Sequence, residues 1–238
     1  MESVLFARIA LAVSAARRTR HGDFADRVES AAASLVGRGA VALALGGELA
    51  FLGYALVGPW MRPPGEASGR FSHQRELGRG SLVAGILMAI LFEMGALHAA
   101  LVHAHPRPAW TLTLSSLWGV LWFLGDYQAL RLRRSVLEDG VLRLRVGLRA
   151  SADVPLEDIA CVRCGRLGEL PRNRGLLRAY PRRAEPTVLI ELAHPVRAHG
   201  VYGWPVLATS IALAPDEAKH FAAQLEAARA AAARGAET

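Results

Sequence analysis

Two apolar runs joined by a proline-rich break dominate the chain. Residues 81–102 are 22 positions of which only Glu93 and His98 titrate. A helix needs about 20 mostly apolar residues to cross the hydrocarbon core. The break His103-Ala104-His105-Pro106-Arg107-Pro108 follows, and then a second run, residues 109–125, rich in Leu and Trp. This pattern predicts a helical hairpin in a bilayer, with spans at 81–102 and 109–129. A third apolar run, residues 39–60, precedes them and is the first spanning candidate. It carries Gly46, Gly47, Gly53 and Gly58, and small residues let helices approach closely in lipid. Trp60 suits an interfacial belt. Pro59, Pro63 and Pro64 stop the helix.

After Arg134 the period changes. Leu142, Leu144, Val146 and Leu148 alternate with Arg143, Arg145, Gly147 and Arg149, the mark of a strand with one buried face. Asp139-Gly140 before it is a strong hairpin signal. Residues 159–163, 187–193 and 207–213 are further strand candidates. Pro215 opens a closing helix, with Asp216 and Glu217 in its first turn, where acids suit the dipole. Ala218, Phe221, Ala222, Leu225 and Ala228 form its apolar stripe. Ahead of the spans, residues 1–16 read as an amphipathic interfacial helix, because their charge follows the apolar part and a secretory signal has the reverse order. Residues 21–34 are polar and helix-compatible. Three regions result: 1–38, interfacial or cytosolic helices; 39–134, transmembrane; and 135–238, a small antiparallel sheet capped by a C-terminal helix. The fold class is α+β.

Of the 238 residues, 52% are hydrophobic, and the net charge is +7. Arginine supplies most of the positive charge, since Lys219 is the only lysine. The arginines lie largely beside apolar runs, where a membrane protein needs them. Arg62, Arg70, Arg75, Arg79, Arg131, Arg133 and Arg134 make the side of the C-terminal domain cytosolic. Arg8, Arg17, Arg18, Arg20, Arg27 and Arg38 break the rule if three spans place the N-terminal region outside.

Glu48, Glu93 and His98 are ionisable groups inside apolar runs, and such groups are costly and by default functional. Glu93 and His98 lie about 140° apart on one helix, so one ligand cannot draw both squarely. A hydrogen-bonded carboxyl and imidazole holding helices in register is the plainer reading. His103 and His105 read as a solvated turn. Cys161-Val162-Arg163-Cys164 is half a zinc knuckle without its other pair, and two ordinary thiols suffice. No metal and no cofactor is expected. Arg163, Arg166, Arg172, Arg174, Arg178, Arg182 and Arg183 form the densest basic stretch. Under a cytosolic leaflet it could contact anionic headgroups at about 1 kcal/mol each. Tyr180 is its one aromatic, too few stacking residues for nucleic acid. No nucleophile elbow, Walker loop or dinucleotide fingerprint occurs.

Three features carry a resemblance. They are the Glu138-Asp139-Gly140 turn, the phrase Val154-Pro155-Leu156-Glu157-Asp158-Ile159, and the closing run from Ile211 through Pro215, Asp216 and Phe221. They look like bacterial PH-like domains on the cytosolic side of multi-pass membrane proteins. Phe71-Ser72-His73, Phe92-Glu93, His98 and Leu124-Gly125-Asp126-Tyr127 are similar to uncharacterised members of that group. The resemblance implies a PH-like β-domain with a capping helix and a bacterial inner-membrane location, and no transferable site. The expected function is a non-enzymatic interaction module for a partner membrane protein or anionic lipid. A small transporter or sensor using Glu48, Glu93 and His98 is the alternative. Gly46, Gly47 and Gly53 could equally pack against a second copy, so a homo-oligomer is within the reading.

Overall fold

The computed structural model describes residues 24–25, 27–28, 40–63, 69–72, 79–165, 167, 170, 175–180, 185–200 and 203–236. Among these are four α-helices and eight strands. The helices are α1 (Ala40–Val57), α2 (Arg79–Leu101), α3 (Pro106–Leu132) and α4 (Ala218–Ala236). The strands are β1 (Arg70–Phe71), β2 (Ser135–Glu138), β3 (Val141–Val146), β4 (Ala150–Pro155), β5 (Ile159–Cys164), β6 (Leu176–Ala179), β7 (Val188–His199) and β8 (Pro205–Leu213). The segment 1–16 lies outside the described residues.

The predicted hairpin is α2 and α3, joined by a turn at 102–105. Pro106 occupies the start of α3, where its missing N–H costs nothing. Among the described residues one helix, Gly80–Leu101, is long and apolar enough to cross a membrane, and no residue of its apolar window is buried. Length and apolarity do not establish the three spans expected from the sequence. α1 has 18 residues and packs on the lower part of α3. Phe51 stacks on Trp122 with ring centroids 4.7 Å apart. A Cβ on Gly125 would meet the Phe51 carbonyl oxygen, and one on Gly58 would meet Gln128. Advancing along α1 therefore advances along α3, so the two helices run parallel.

The eight strands form one sheet in the order β1-β2-β3-β4-β7-β8-β6, with β5 also paired to β7. All pairs are antiparallel except β6 with β8. Asp139 (φ 53°) and Gly140 (φ 72°) are both left-handed, as a two-residue hairpin turn of this hand requires. Leu142, Leu144 and Val146 point into the core. The expected strand stops there because Gly147 (φ 54°) turns the chain and abuts Leu130 of α3. Phe221 and Leu225 of α4, both fully buried, roof the core as the stripe predicted. β1 comes from a segment that reads as a polar loop: Phe71 packs edge-on against Phe221 at 4.7 Å, and the Asp216 N–H donates to the Ser72 carbonyl.

The turn at 147–149 ties the sheet to α3. Arg133 donates to the Gly147 carbonyl at 2.6 Å. Arg149 grips Asp126 with two bonds of 3.0 and 2.6 Å. The hydrogen bond to Asp126, with its charge, holds the Arg149 guanidinium above its ordinary pKa against burial. Asp126 is buried, so Arg149→Ala strands an unpaired carboxylate and should cost about 3 kcal/mol. Asp126→Asn, which leaves the more exposed arginine to water, should cost about half as much. Chemical denaturation of both variants checks the order; equal costs would contradict it.

Candidate anionic-ligand site

Where α1 and α3 end and the sheet begins, the chain encloses a cavity of about 330 Å³. Its lining comes from separate segments. The alternation that buries Leu142 and Leu144 turns Arg143 and Arg145 to the other face of β3. Strand register sets Arg70 opposite Val136 and Val136 opposite Arg143, so that row forms one wall. The helix ends supply Tyr54, Met61, Arg62, Leu132, Arg133 and Arg134, and Phe24 and Arg27 close the side. Among the described residues, seven arginines thus face the cavity and one acid, Glu138.

Several of these arginines are held by the protein itself. Arg145 donates to the carbonyls of Leu144 and Ala152 and pairs with Asp153 at 2.8 Å. Arg133 is fixed on Gly147. Others are open to a ligand: among the described residues no acid pairs with Arg62 or Arg70. The Arg134 Nε is buried with no hydrogen-bond partner among the described residues. A buried donor left unpaired costs about 1–3 kcal/mol, and a phosphate oxygen would relieve it. Guanidinium forks match phosphate geometry. Clustered charge in a partly enclosed space concentrates anions. Phe24, Tyr54, Met61, Leu132 and Val136 give the cavity an apolar side as well.

Phe24 packs edge-on against Tyr54 at 5.2 Å, near the sheet end of α1, so Arg27 shares a side with Arg62 and Arg133. Arg8, Arg17, Arg18, Arg20 and Arg38 lie outside the described residues.

The chain has no match among protein-family models, curated proteins or solved structures. The site therefore rests on its own geometry.

The candidates chosen from the sequence fall elsewhere. Of the basic stretch, Arg163 and Arg178 are described; Arg166, Arg172, Arg174, Arg182 and Arg183 are not. Arg163 pairs with Glu191. Register sets Cys164 opposite Val188 and Ala179 opposite Leu213, at the opposite end of β7 from His199, which lies beside the turn that grips α3. Both arginines thus sit at the opposite end of β7 from His199, and neither lines the cavity. Cys161 and Cys164 are free thiols, and three residues apart on a strand they face opposite ways.

Glu48, Glu93 and His98 are not assembled into one site. His98 Nδ1 lies 2.7 Å from the Thr113 hydroxyl, which itself donates to the Ala109 carbonyl. His98 also meets Trp110 edge-on at 4.9 Å. It fastens α2 to α3 through the Thr113 hydroxyl, where the sequence reading had a carboxyl as the partner of the imidazole. Glu93 is exposed and lines a groove with Met94, Thr113 and Ser116 that contains neither His98 nor Glu48. Glu48 is half-buried on α1, with one carboxyl oxygen lacking a partner among the described residues. His103 and His105 are exposed in the turn, and no group of three or more metal-ligating side chains occurs among the described residues.

Proposed function

We propose that the chain is a multi-pass membrane protein of the bacterial inner membrane. Its PH-like domain lies against the cytosolic leaflet, and it binds a phosphate-bearing anionic group in the arginine cavity, without catalysis. The observation that carries this reading is the cavity itself: among the described residues, seven arginines and one glutamate line it, where the helices meet the sheet. Cytosolic leaflets are anionic, and basic residues near them gain about 1 kcal/mol each. The uncovered apolar surface of α2, with Phe92 80% exposed, suits lipid. α1 running parallel to α3 suits a third span. Seven strands after α3, closed by α4, suit a PH-like module.

The shared chemistry of the ligand is a phosphate, which a lipid headgroup or a soluble phosphate could present. The full chain in nanodiscs of neutral phosphatidylcholine should bind short-chain phosphatidic acid saturably, and binding should weaken with salt. Glycerol phosphate and inorganic phosphate form the second arm. Binding at least tenfold weaker there assigns the site to a lipid; equal binding assigns it to a soluble phosphate. Absence of binding in both arms at low salt refutes the reading.

A further inference from the structure

The face of the sheet that carries Arg143 and Arg145 continues across β4 to the β7–β8 hairpin. Register sets Arg145 opposite Ser151, Ser151 opposite His199 and His199 opposite Pro205. Farther down the hairpin, Arg197 stands opposite Leu207 on the same face, while Ala198 and Ala208 fill the core. The turn is closed by the Gly200 N–H donating to the Trp204 carbonyl at 2.8 Å, and Gly203 (φ 70°) supplies the left-handed residue it needs. At this tip Trp204 is 53% exposed and Leu207 63% exposed.

The position of the tip gives those residues a meaning that isolated surface apolar residues lack. β4 starts immediately after Arg149, and Arg149 is clamped to Asp126, the residue after the last apolar stretch of α3. Antiparallel pairing of Ser151 with His199 sets the β7–β8 turn beyond the start of β4, on the side of that strand where Arg149 grips Asp126. A tryptophan at this height belongs to the headgroup region, where its ring and N–H are both satisfied.

We infer that the β7–β8 tip docks into the headgroup layer of the bilayer, with Trp204 leading and Arg197 and His199 among the phosphates. Leu207 follows Trp204 by about 10 Å of strand, at the edge of the 5–10 Å that interfacial elements penetrate. The inference rests on the membrane reading above. With the helices it makes a second point of attachment, so that the sheet cannot tilt away and the arginine cavity is held at the leaflet.

Full-length protein with Cys161→Ser and Cys164→Ser, carrying one added cysteine labelled with a polarity-sensitive fluorophore, tests this in proteoliposomes with nitroxide lipids. The added cysteine is Trp204→Cys, Leu207→Cys (which keeps the tryptophan), Phe92→Cys or Arg178→Cys. Labels at 204 and 207 should be blue-shifted and quenched at least twofold more by shallow than by deep nitroxides. The label at 92 should be quenched by deep ones, and the label at 178 should stay aqueous. If 92 is quenched while 204 and 207 are not, the tip inference is wrong and the membrane reading stands. If 92 is also unquenched, both fall.

Discussion

Arg62→Glu together with Arg70→Glu should weaken binding of anionic phospholipid about thirtyfold or more. Each lost arginine contact is worth about 1 kcal/mol near an anionic surface, and 2 kcal/mol is about thirtyfold; the introduced acids add repulsion. Both side chains line the cavity and are exposed, so folding should survive, which a denaturation curve checks. Arg178→Glu adds an exposed acid outside the cavity lining and should change affinity less than twofold. Equal losses from the two variants would mean that net charge, and not the cavity, draws the ligand. Salt should erase most of the difference between wild type and the double variant.

Gly125→Leu should break the α1–α3 contact. A Cβ at Gly125 would lie 2.2 Å from the Phe51 carbonyl oxygen, a backbone atom that cannot rotate away. Overpacking of this kind costs about 3 kcal/mol. Because α1 carries Tyr54 to the cavity and Met61 lies just beyond it, anion binding should fall as well. Gly119→Leu is the matched control: nothing lies within 4 Å of its Cβ position, and exchanging glycine within a helix should gain up to about 1 kcal/mol. Denaturant titration followed by tryptophan fluorescence reads both, since Trp122 stacks on Phe51. A Gly125→Leu protein as stable as wild type would refute the packing described.

The elements were legible where one local signal sufficed. The hairpin followed from two apolar runs and a proline break, the β2–β3 turn from Asp139-Gly140, and the roof helix from its Phe221 and Leu225 stripe. β1 was hidden because two residues inside a charged segment have no period; only Phe71, apolar among polar neighbours, marked it. The arginine cavity was hidden for a different reason. Arg27, Arg62, Arg70, Arg133, Arg134, Arg143 and Arg145 come from separate segments, and strand register brings them together. Their visible trace was the strict alternation at Arg143 and Arg145, which required an outward face of some use. Linear density instead pointed to residues 163–183, whose two described arginines lie outside the cavity lining. Helix geometry kept Glu93 and His98 about 140° apart, but it could not show that the bond His98 makes is across the hairpin to Thr113.

The most direct test of the central claim is native mass spectrometry of the full chain released from membranes in mild neutral detergent. The wild type should retain an anionic phospholipid, bound one to one, and Arg62→Glu with Arg70→Glu should lose it. A wild type that carries no phospholipid, or a double variant that retains the same lipid to the same extent, would contradict the arginine cavity as the binding site.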